Sequence, residues 1–222
     1  MTPLKLLALD TATDACSVAL HVDGAIAQRH ELAPQRHTQR VLPMVHALCA
    51  EAGIGLAQLD AIAVGIGPGA FTGVRVATAI AQGLAYAHDL PVVPVSTLAA
   101  LAQGGYRLTG IRTQLATLDA RRRELYWARY EVDDEGLVRA AGEERVTAAT
   151  ALVLPAADPW RAVGTGWLAY AHDMRDLWPE LGPLPLLHPE ARDVATLGVA
   201  GLRAGRGRAP AVLAPTYLRA PV

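Results

Sequence analysis

Residues 4–32 have the sequence LKLLALDTATDACSVALHVDGAIAQRHEL, which predicts three β-strands in succession. The first seven of these residues form a mostly apolar run that ends at Asp10, as in a buried strand. Apolar residues then alternate between positions 17 and 22, which places them on one face of a second strand. Asp23-Gly24 is a strong signal for a two-residue hairpin, so the chain is predicted to open with a three-stranded meander.

Helices and single strands alternate after this meander. We predict helices over residues 35–52 and 72–88, strands over 61–66 and 91–95, and a further helix after Ser96. A meander followed by parallel βαβ units is the ribonuclease-H-like arrangement, βββαβαβα.

The second half of the chain is predicted to repeat this order. We expect strands over residues 113–120, 124–132, 137–140, 161–163 and 184–187, and helices near 147–154, 167–177 and 194–204. The first strands of the two halves are also alike, LLALD at 6–10 and LATLD at 115–119. The sequence therefore predicts an α/β protein of two duplicated ribonuclease-H-like lobes, residues 1–102 and 103–222. Whether the last residues pack back on the first lobe stays open.

The composition predicts a well-packed protein that does not bind nucleic acid strongly by itself. Hydrophobic residues make up 52% of the 222 residues and charged residues 18%, which permits a sizeable core. The 20 basic and 21 acidic side chains give a formal net charge of −1, whereas strong nucleic-acid binders carry a basic surface. We therefore expect any contact with RNA to be weak or shared with a partner.

Cysteine usage and hydropathy favour a cytoplasmic protein. Cys16 and Cys49 are the two cysteines, and their wide spacing predicts neither a disulfide framework nor a zinc motif. The apolar run before Asp10 is too short for a signal peptide. No segment of the sequence approaches the roughly 20 apolar residues of a membrane span.

The turn after the first strand has two interpretations. In two-lobed ATPases of the actin and sugar-kinase type, an Asp at a strand end, a glycine turn and a hydroxyl grip phosphate, because glycine lets backbone N–H groups approach closely. Asp10 and Ser17 supply comparable polar groups, but Ala12 stands where a glycine is wanted. The other interpretation is a strand end closed by an Asx-type turn.

A glycine-rich loop, GIGPGAFTGVR at residues 65–75, lies between a predicted strand and a predicted helix. Backbone N–H groups at such a place can hold an anion. A tight turn with Thr72 as the helix cap is an equally good interpretation. Neither a Walker loop nor a clean dinucleotide fingerprint is present in this stretch.

Small residues line the helix that follows the loop. Gly73, Ala77, Ala81 and Gly83 let another element approach closely, and a helical glycine costs roughly 1 kcal/mol relative to alanine. Such glycines need a packing reason, which is either the protein's own sheet or a second protein.

Catalytic and metal-binding patterns are absent from the sequence. No two of the seven histidines stand four residues apart, as a helical metal site requires, and no Gly-x-Ser-x-Gly elbow is present. Arg121, Arg122 and Arg123 follow Asp119 and predict a hairpin tip. The tip is either solvated or contacts an RNA phosphate or a nucleotide.

Residues 67–75, GPGAFTGVR, closely resemble the hallmark of the TsaB family, also called YeaZ, which usually has serine where Ala70 stands. Four weaker matches occur in the right order: LALDTAT at residues 7–13, HTQRVLP at 37–43, LDARR followed by ELY between 118 and 126, and PTYLR at 215–219. The resemblance spans almost the whole chain.

The resemblance implies an actin-like, two-lobed fold and a role in forming threonylcarbamoyladenosine on tRNAs that read codons starting with A. The catalytic paralogue TsaD carries a metal-binding pair of histidines four apart, which this chain lacks, so a non-catalytic scaffold or activator is implied. The implied partners are TsaD, the ATPase TsaE and, as an alternative, a second copy in a homodimer, with tRNA reached only through the complex. No membrane contact, metal or intrinsic cofactor is implied, and ATP or ADP at the subunit interface stays open.

In this family the partner contact uses the first two helices of the N-terminal lobe, here residues 35–52 and 72–88. For this contact we predict His37, Leu42, Val45, Gly73, Arg75, Ala77 and Ile80, with Arg75 alternatively tying the loop. Gly67, Pro68, Gly69, Phe71 and Thr72 are predicted to shape the loop that orients the second helix, and no residue is predicted to be catalytic. Two functions remain as alternatives: an ATP-dependent phosphotransferase of the same fold and a metalloprotease of the glycoprotease family.

Overall fold

The structure, a computed structural model, describes residues 4–152, 160–175, 186 and 188–219. It divides into two compact units, the first formed by Met1–Ala100 and Pro189–Thr216, the second by Leu101–His188 and Tyr217–Val222. This division differs from the expected 1–102 and 103–222, because residues 189–216 join the first unit. The cause is apolar packing, since a helix near the C-terminus buries one face on the first sheet.

The first unit is built on a five-stranded sheet. Its strands are β1 (Lys5–Asp10), β2 (Ala15–Val22), β3 (Ala25–Leu32), β4 (Ala61–Gly65) and β5 (Val92–Val95). They lie in the order β3-β2-β1-β4-β5, with β1, β2 and β3 antiparallel and β1, β4 and β5 parallel. The predicted meander and ribonuclease-H-like order are therefore confirmed in this unit.

Three helices follow these strands as predicted. α1 (His37–Ala52) and α2 (Phe71–Ala87) lie on one face of the sheet, and their apolar residues share a core with Leu7, Leu9 and Ile62. α3 (Thr97–Thr109) comes after β5. Pro43 is exposed near the middle of α1, so it lies neither in the first turn nor at an end of the helix.

The second unit has a mixed sheet of short strands. These are β6 (Thr113–Asp119), β7 (Glu124–Val132), β8 (Val138–Ala140), β9 (Arg145–Ala148) and β10 (Arg161–Val163). Their order is β10-β6-β7-β8, and β9 also pairs with β7. As in the first unit, the first two strands are antiparallel and the first strand pairs in parallel with a later one.

Several sequence predictions for the second unit need correction. The helix expected near residues 147–154 is instead β9 followed by a single 3₁₀ turn, Ala149–Ala151. The helix expected near 167–177 is two short ones, α4 (Thr165–Ala169) and α5 (Ala171–Arg175). The strand expected at 184–187 lies largely outside the described residues.

The predicted C-terminal helix is present but packs on the first unit. α6 (Ala191–Arg203) lies against Leu6, Ala8 and Ala63. These residues alternate with the ones that face α1 and α2, so α6 covers the opposite face of the first sheet. Among the helices of the described residues, none combines the length and the apolar character of a membrane span.

Candidate functional site

The turn after β1 is an Asx turn, as one of the two interpretations predicted. Asp10 is 1% exposed at the carboxyl end of β1, and its Oδ1 accepts a hydrogen bond from the Ala12 amide at 2.9 Å. Its Oδ2 is buried and has no hydrogen-bond partner among the described residues. A Cβ at Gly65, on the neighbouring strand β4, would overlap Oδ2, so glycine is required where the two strands end.

Burial sets the protonation of Asp10. Loss of solvent raises the pKa of its carboxyl from 3.8 to about 7, although the hydrogen bond from Ala12 and the Thr97 hydroxyl oppose this shift. The charged form is therefore disfavoured inside the unit. Among the described residues no donor reaches Oδ2 with hydrogen-bond geometry, and the backbone of Gly65 lies against it, so the nearby Thr97 hydroxyl offsets only part of the cost of burial.

The glycine-rich loop packs directly on this turn. The Ala70 amide donates to the Ala12 carbonyl at 2.7 Å, and the Thr11 hydroxyl donates to the Gly73 carbonyl at 2.6 Å. A Cβ at Gly73 would overlap the Thr11 carbonyl, so glycine lets the first turn of α2 lie against the backbone of the β1–β2 turn. The glycine-rich loop thus occupies the space beside the β1–β2 turn.

The other end of the loop is fixed to α3. The Gly67 amide donates to the Thr97 hydroxyl at 3.0 Å, and the Thr97 amide donates back to the Gly67 carbonyl at 2.9 Å. Thr72 does not cap α2, since the helix begins at Phe71 with Ala70 in the capping position. The prediction of a Thr72 cap is therefore wrong, and Thr72 is exposed in the first helical turn.

Ser17 caps a helix and does not face a phosphate site, as the phosphate interpretation would require. Its hydroxyl oxygen accepts a hydrogen bond from the Ala191 amide at 2.8 Å, which satisfies a free N–H at the start of α6. Gln28 does the same for the Arg192 amide at 2.8 Å. The hydroxyl is therefore already used as a helix cap across the sheet.

The two cysteines are poor nucleophiles. Burial raises the pKa of the Cys16 thiol to about 12, and it also raises the pKa of the Cys49 thiol. Cys16 lies against the sulfur of Met44 at 3.9 Å, inside the core under α1. Among the described residues, no group of three or more His, Cys, Asp or Glu side chains could hold a metal ion.

This chain is similar in sequence to proteins of known name. A protein of Escherichia coli, the tRNA threonylcarbamoyladenosine biosynthesis protein TsaB, is 40% identical over 227 residues, which cover 97% of this chain and 95% of that protein. The chain belongs to the TsaB family. The Haemophilus influenzae protein of the same name is 44% identical over 182 residues, covering 77% of this chain and 76% of that protein.

The structural and family-model matches are consistent with TsaB membership. A Pseudomonas aeruginosa crystal structure, described as an uncharacterized protein with similarity to peptidase YEAZ, has a TM-score of 0.91 and 43% identity over 97% of this chain and 100% of that chain. A family model described as TsaD, tRNA N6-adenosine threonylcarbamoyltransferase, matches residues 27–165. The predicted TsaB resemblance and the two-lobed α/β fold are therefore confirmed.

The structure distributes the seven residues predicted for the TsaB partner contact over buried and exposed positions. Val45 and Ala77 are fully buried, and Gly73 is buried against the β1–β2 turn. All three positions are buried by the protein's own packing, so the prediction that they contact a partner directly needs correction. The other four stay predictions: Leu42 and Arg75 are exposed, and His37 and Ile80 are partly buried.

The small-residue stripe of α2 faces the protein's own sheet. Ala77, Ala81 and Ala85 are fully buried in the core with strands β1 and β4. Gly83 is the exception, since it is exposed and a Cβ there would meet nothing within 4 Å. Packing against the protein's own sheet, rather than against a second protein, therefore accounts for most of the stripe.

A second face of α2 is exposed, and of its residues the sequence analysis assigned Arg75 alone to the partner contact. We call it the outer face of α2, and it consists of Phe71, Arg75, Ala79, Gly83 and Tyr86. Phe71 is 65% exposed with the Arg75 guanidinium 3.2 Å from its ring centroid, and Tyr86 is 58% exposed. The spacing of four, four, four and three residues is the signal that could have identified this face.

Proposed function

We propose that this chain is the non-catalytic scaffold and activator subunit of the complex that forms N6-threonylcarbamoyladenosine on tRNAs reading codons that start with A. Its family and the names of its relatives support the pathway. The observation that carries the accessory role is the packing of the glycine-rich loop onto the β1–β2 turn.

That packing argues against a phosphotransferase. A phosphate-binding turn needs backbone N–H groups and a carboxylate that face an open site. Here the Ala12 amide is bonded to Asp10, and the backbone of Gly65 lies against the Asp10 carboxyl. Ser17, the remaining polar group of such a turn, caps α6. The turn therefore supports the orientation of α2 rather than chemistry on a phosphate.

The outer face of α2 suits contact with a partner helix. Ala79 and Gly83 at its centre let a second backbone approach closely, while Phe71 and Tyr86 at its ends supply large apolar contacts. Arg75 adds one charge over the Phe71 ring. A small centre between two aromatic anchors favours packing of one helix against another.

The partners in this proposal are a TsaD-type catalytic subunit and, through it, a TsaE-type ATPase. A homodimer through the same face is the competing assembly. ATP or ADP at the subunit junction is part of the proposal, with no cofactor held by this chain alone. Action on tRNA supports the cytoplasmic location that is part of this proposal.

The test substitutes Ala79 by arginine. Alanine and arginine have similar helix propensities, and position 79 is exposed, so α2 stays folded. A charged, bulky side chain at the centre of a helix contact costs about 2 kcal/mol or more, which weakens binding to the catalytic subunit at least about thirtyfold. Ala204→Arg is the matched control, because Ala204 is exposed at the end of α6 on the opposite face of the sheet.

The measurement is titration of the two variants against the catalytic subunit, followed by assay of modified nucleoside on tRNA. We expect Ala79→Arg to lose both binding and activation, and Ala204→Arg to keep both. Undiminished binding by a folded Ala79→Arg protein rejects this surface. Turnover of substrate by the purified chain alone rejects the accessory role.

A further inference from the structure

Three consecutive arginines form the tip of the hairpin between β6 and β7. Arg121, Arg122 and Arg123 have φ angles of 62°, 56° and 61°, and all three are exposed. This left-handed region is unfavourable for residues with a Cβ, and glycine or asparagine adopts it more readily. The turn itself therefore gives no reason for arginine at any of the three positions.

The backbone of this tip is held in place by the strands around it. The Arg121 amide donates to Oδ1 of Asp119 at 2.7 Å, and the Glu124 amide donates to the Arg121 carbonyl at 3.0 Å. The Ala149 amide, next to β9, donates to the Arg123 carbonyl at 3.2 Å. The guanidinium groups therefore extend from fixed points, which lowers the entropy lost on binding.

The charges of the tip are directed to solvent. Arg121 and Asp119 form an ion pair at 3.2 Å with the arginine side chain 82% exposed, and Arg123 and Asp173 form another at 3.2 Å with the arginine 78% exposed. Exposed ion pairs of this kind contribute little to stability. The structure records no ion pair for the Arg122 side chain within the described residues. Three guanidinium groups against two carboxylates leave the tip positive.

We propose that this arginine tip, Arg121–Arg123, contacts the phosphate backbone of the tRNA on which the complex acts, an inference that rests on the proposed function. Guanidinium groups form paired hydrogen bonds with phosphate oxygens, and such contacts need charge and geometry but no apolar surface. The tip is wholly charged, which favours phosphate over the apolar centre of a protein interface. With a net charge of −1 for the chain, the contact adds affinity to an assembled complex and does not bind tRNA alone.

The test replaces Arg122 by glutamine and measures binding of an unmodified tRNA transcript to the assembled complex over a series of salt concentrations. Loss of one phosphate contact lowers the slope of log affinity against log salt by about one, which is about eightfold in affinity at ~0.1 M salt. Arg208→Gln is the matched control, because Arg208 is exposed in the first unit and its loss changes the net charge equally.

A second variant separates binding from folding. Arg122→Gly removes the same charge but relieves the positive φ of 56°, so we expect a higher unfolding midpoint together with the weaker tRNA binding. A structural role for Arg122 predicts that stability and binding fall together.

Three results overturn the inference. The first is unchanged affinity and salt slope for Arg122→Gln, or an equal loss for Arg208→Gln. The second is weaker assembly with the catalytic subunit at unchanged tRNA affinity, which assigns the tip to a protein contact. The third is failure of the wild-type complex to assemble, which also rejects the proposed function. If the complex assembles and the Arg122 substitution leaves its tRNA binding unchanged, this inference alone is rejected.

Discussion

Replacing Asp10 by asparagine tests the state of the buried carboxyl. Asparagine keeps the acceptor for the Ala12 amide and has nearly the same shape, but it carries no charge at any pH. The pKa of Asp10 is raised from 3.8 to about 7, and at about 1.4 kcal/mol per pKa unit this amounts to about 4 kcal/mol. That is the free energy that the wild-type protein loses when this carboxyl ionises.

The raised pKa gives the pH dependence its sign. Below about pH 4 the carboxyl is protonated in both the folded and the unfolded chain, so its full contribution to stability is present. As the pH rises toward 7 the unfolded chain releases the proton first, and wild-type stability falls; above about pH 7 the loss is complete. The asparagine variant has no such loss. Its buried NH₂ group costs ~1–3 kcal/mol at every pH, so the expected net gain at about pH 8 is roughly 1–3 kcal/mol.

The assay is urea unfolding of both proteins at several pH values between about 4 and 8. The four tryptophans lie between residues 127 and 178, so their fluorescence reports on the second unit, and far-ultraviolet circular dichroism or hydrogen exchange of β1 amides must follow the first. Asp14→Asn, an exposed change in the same turn, is the control and leaves the wild-type pH dependence intact. Parallel stability curves for Asp10→Asn and wild type would refute the reasoning.

The remaining predictions concern packing in the first unit. Gly73→Ala places a methyl group on the Thr11 carbonyl and lowers the free energy of unfolding by ~1–3 kcal/mol, whereas Gly83→Ala, in open space on the same helix, raises it by about 1 kcal/mol. Thermal or urea unfolding measures both, and equal effects would contradict the packing of the loop. Ser17→Ala removes the acceptor for the Ala191 amide and costs ~1–2 kcal/mol, with faster hydrogen exchange at that amide; slow exchange in the variant would show another cap.

The first unit could be predicted from the sequence because its signals are local and strong. The strands β1 and β2 have clear apolar patterns, and the Asp23-Gly24 hairpin makes β3 antiparallel to β2. The second unit was predicted less well, since β9 has four residues, too few for a period to appear, and part of it was expected to be helical. The location of α6 was not predictable from its pattern, because an apolar helix face does not identify the sheet on which it packs.

The candidate contact residues show a second limit of sequence patterns. Helical spacing identifies residues that share a face, but it does not say which face meets the protein's own sheet. Ala77 and Ala81 were assigned to a partner or to the sheet on size alone, and the structure places them in the core. Phe71 and Tyr86 were not assigned to a partner contact, although large exposed apolar side chains are the stronger sign of one.

The duplication gives the two halves of the chain equivalent turns with opposite uses. Asp10 and Asp119 both end a first strand, and each accepts an amide from two residues further on, at 2.9 and 2.7 Å. In the first unit Asp10 is buried against Gly65, so the turn becomes part of the packing that orients α2. In the second unit the corresponding turn stays open to solvent and carries arginine at the next three positions after Ala120. The same turn geometry therefore supports a packed surface in one unit and a charged surface in the other, and neither use requires the turn to hold a nucleotide.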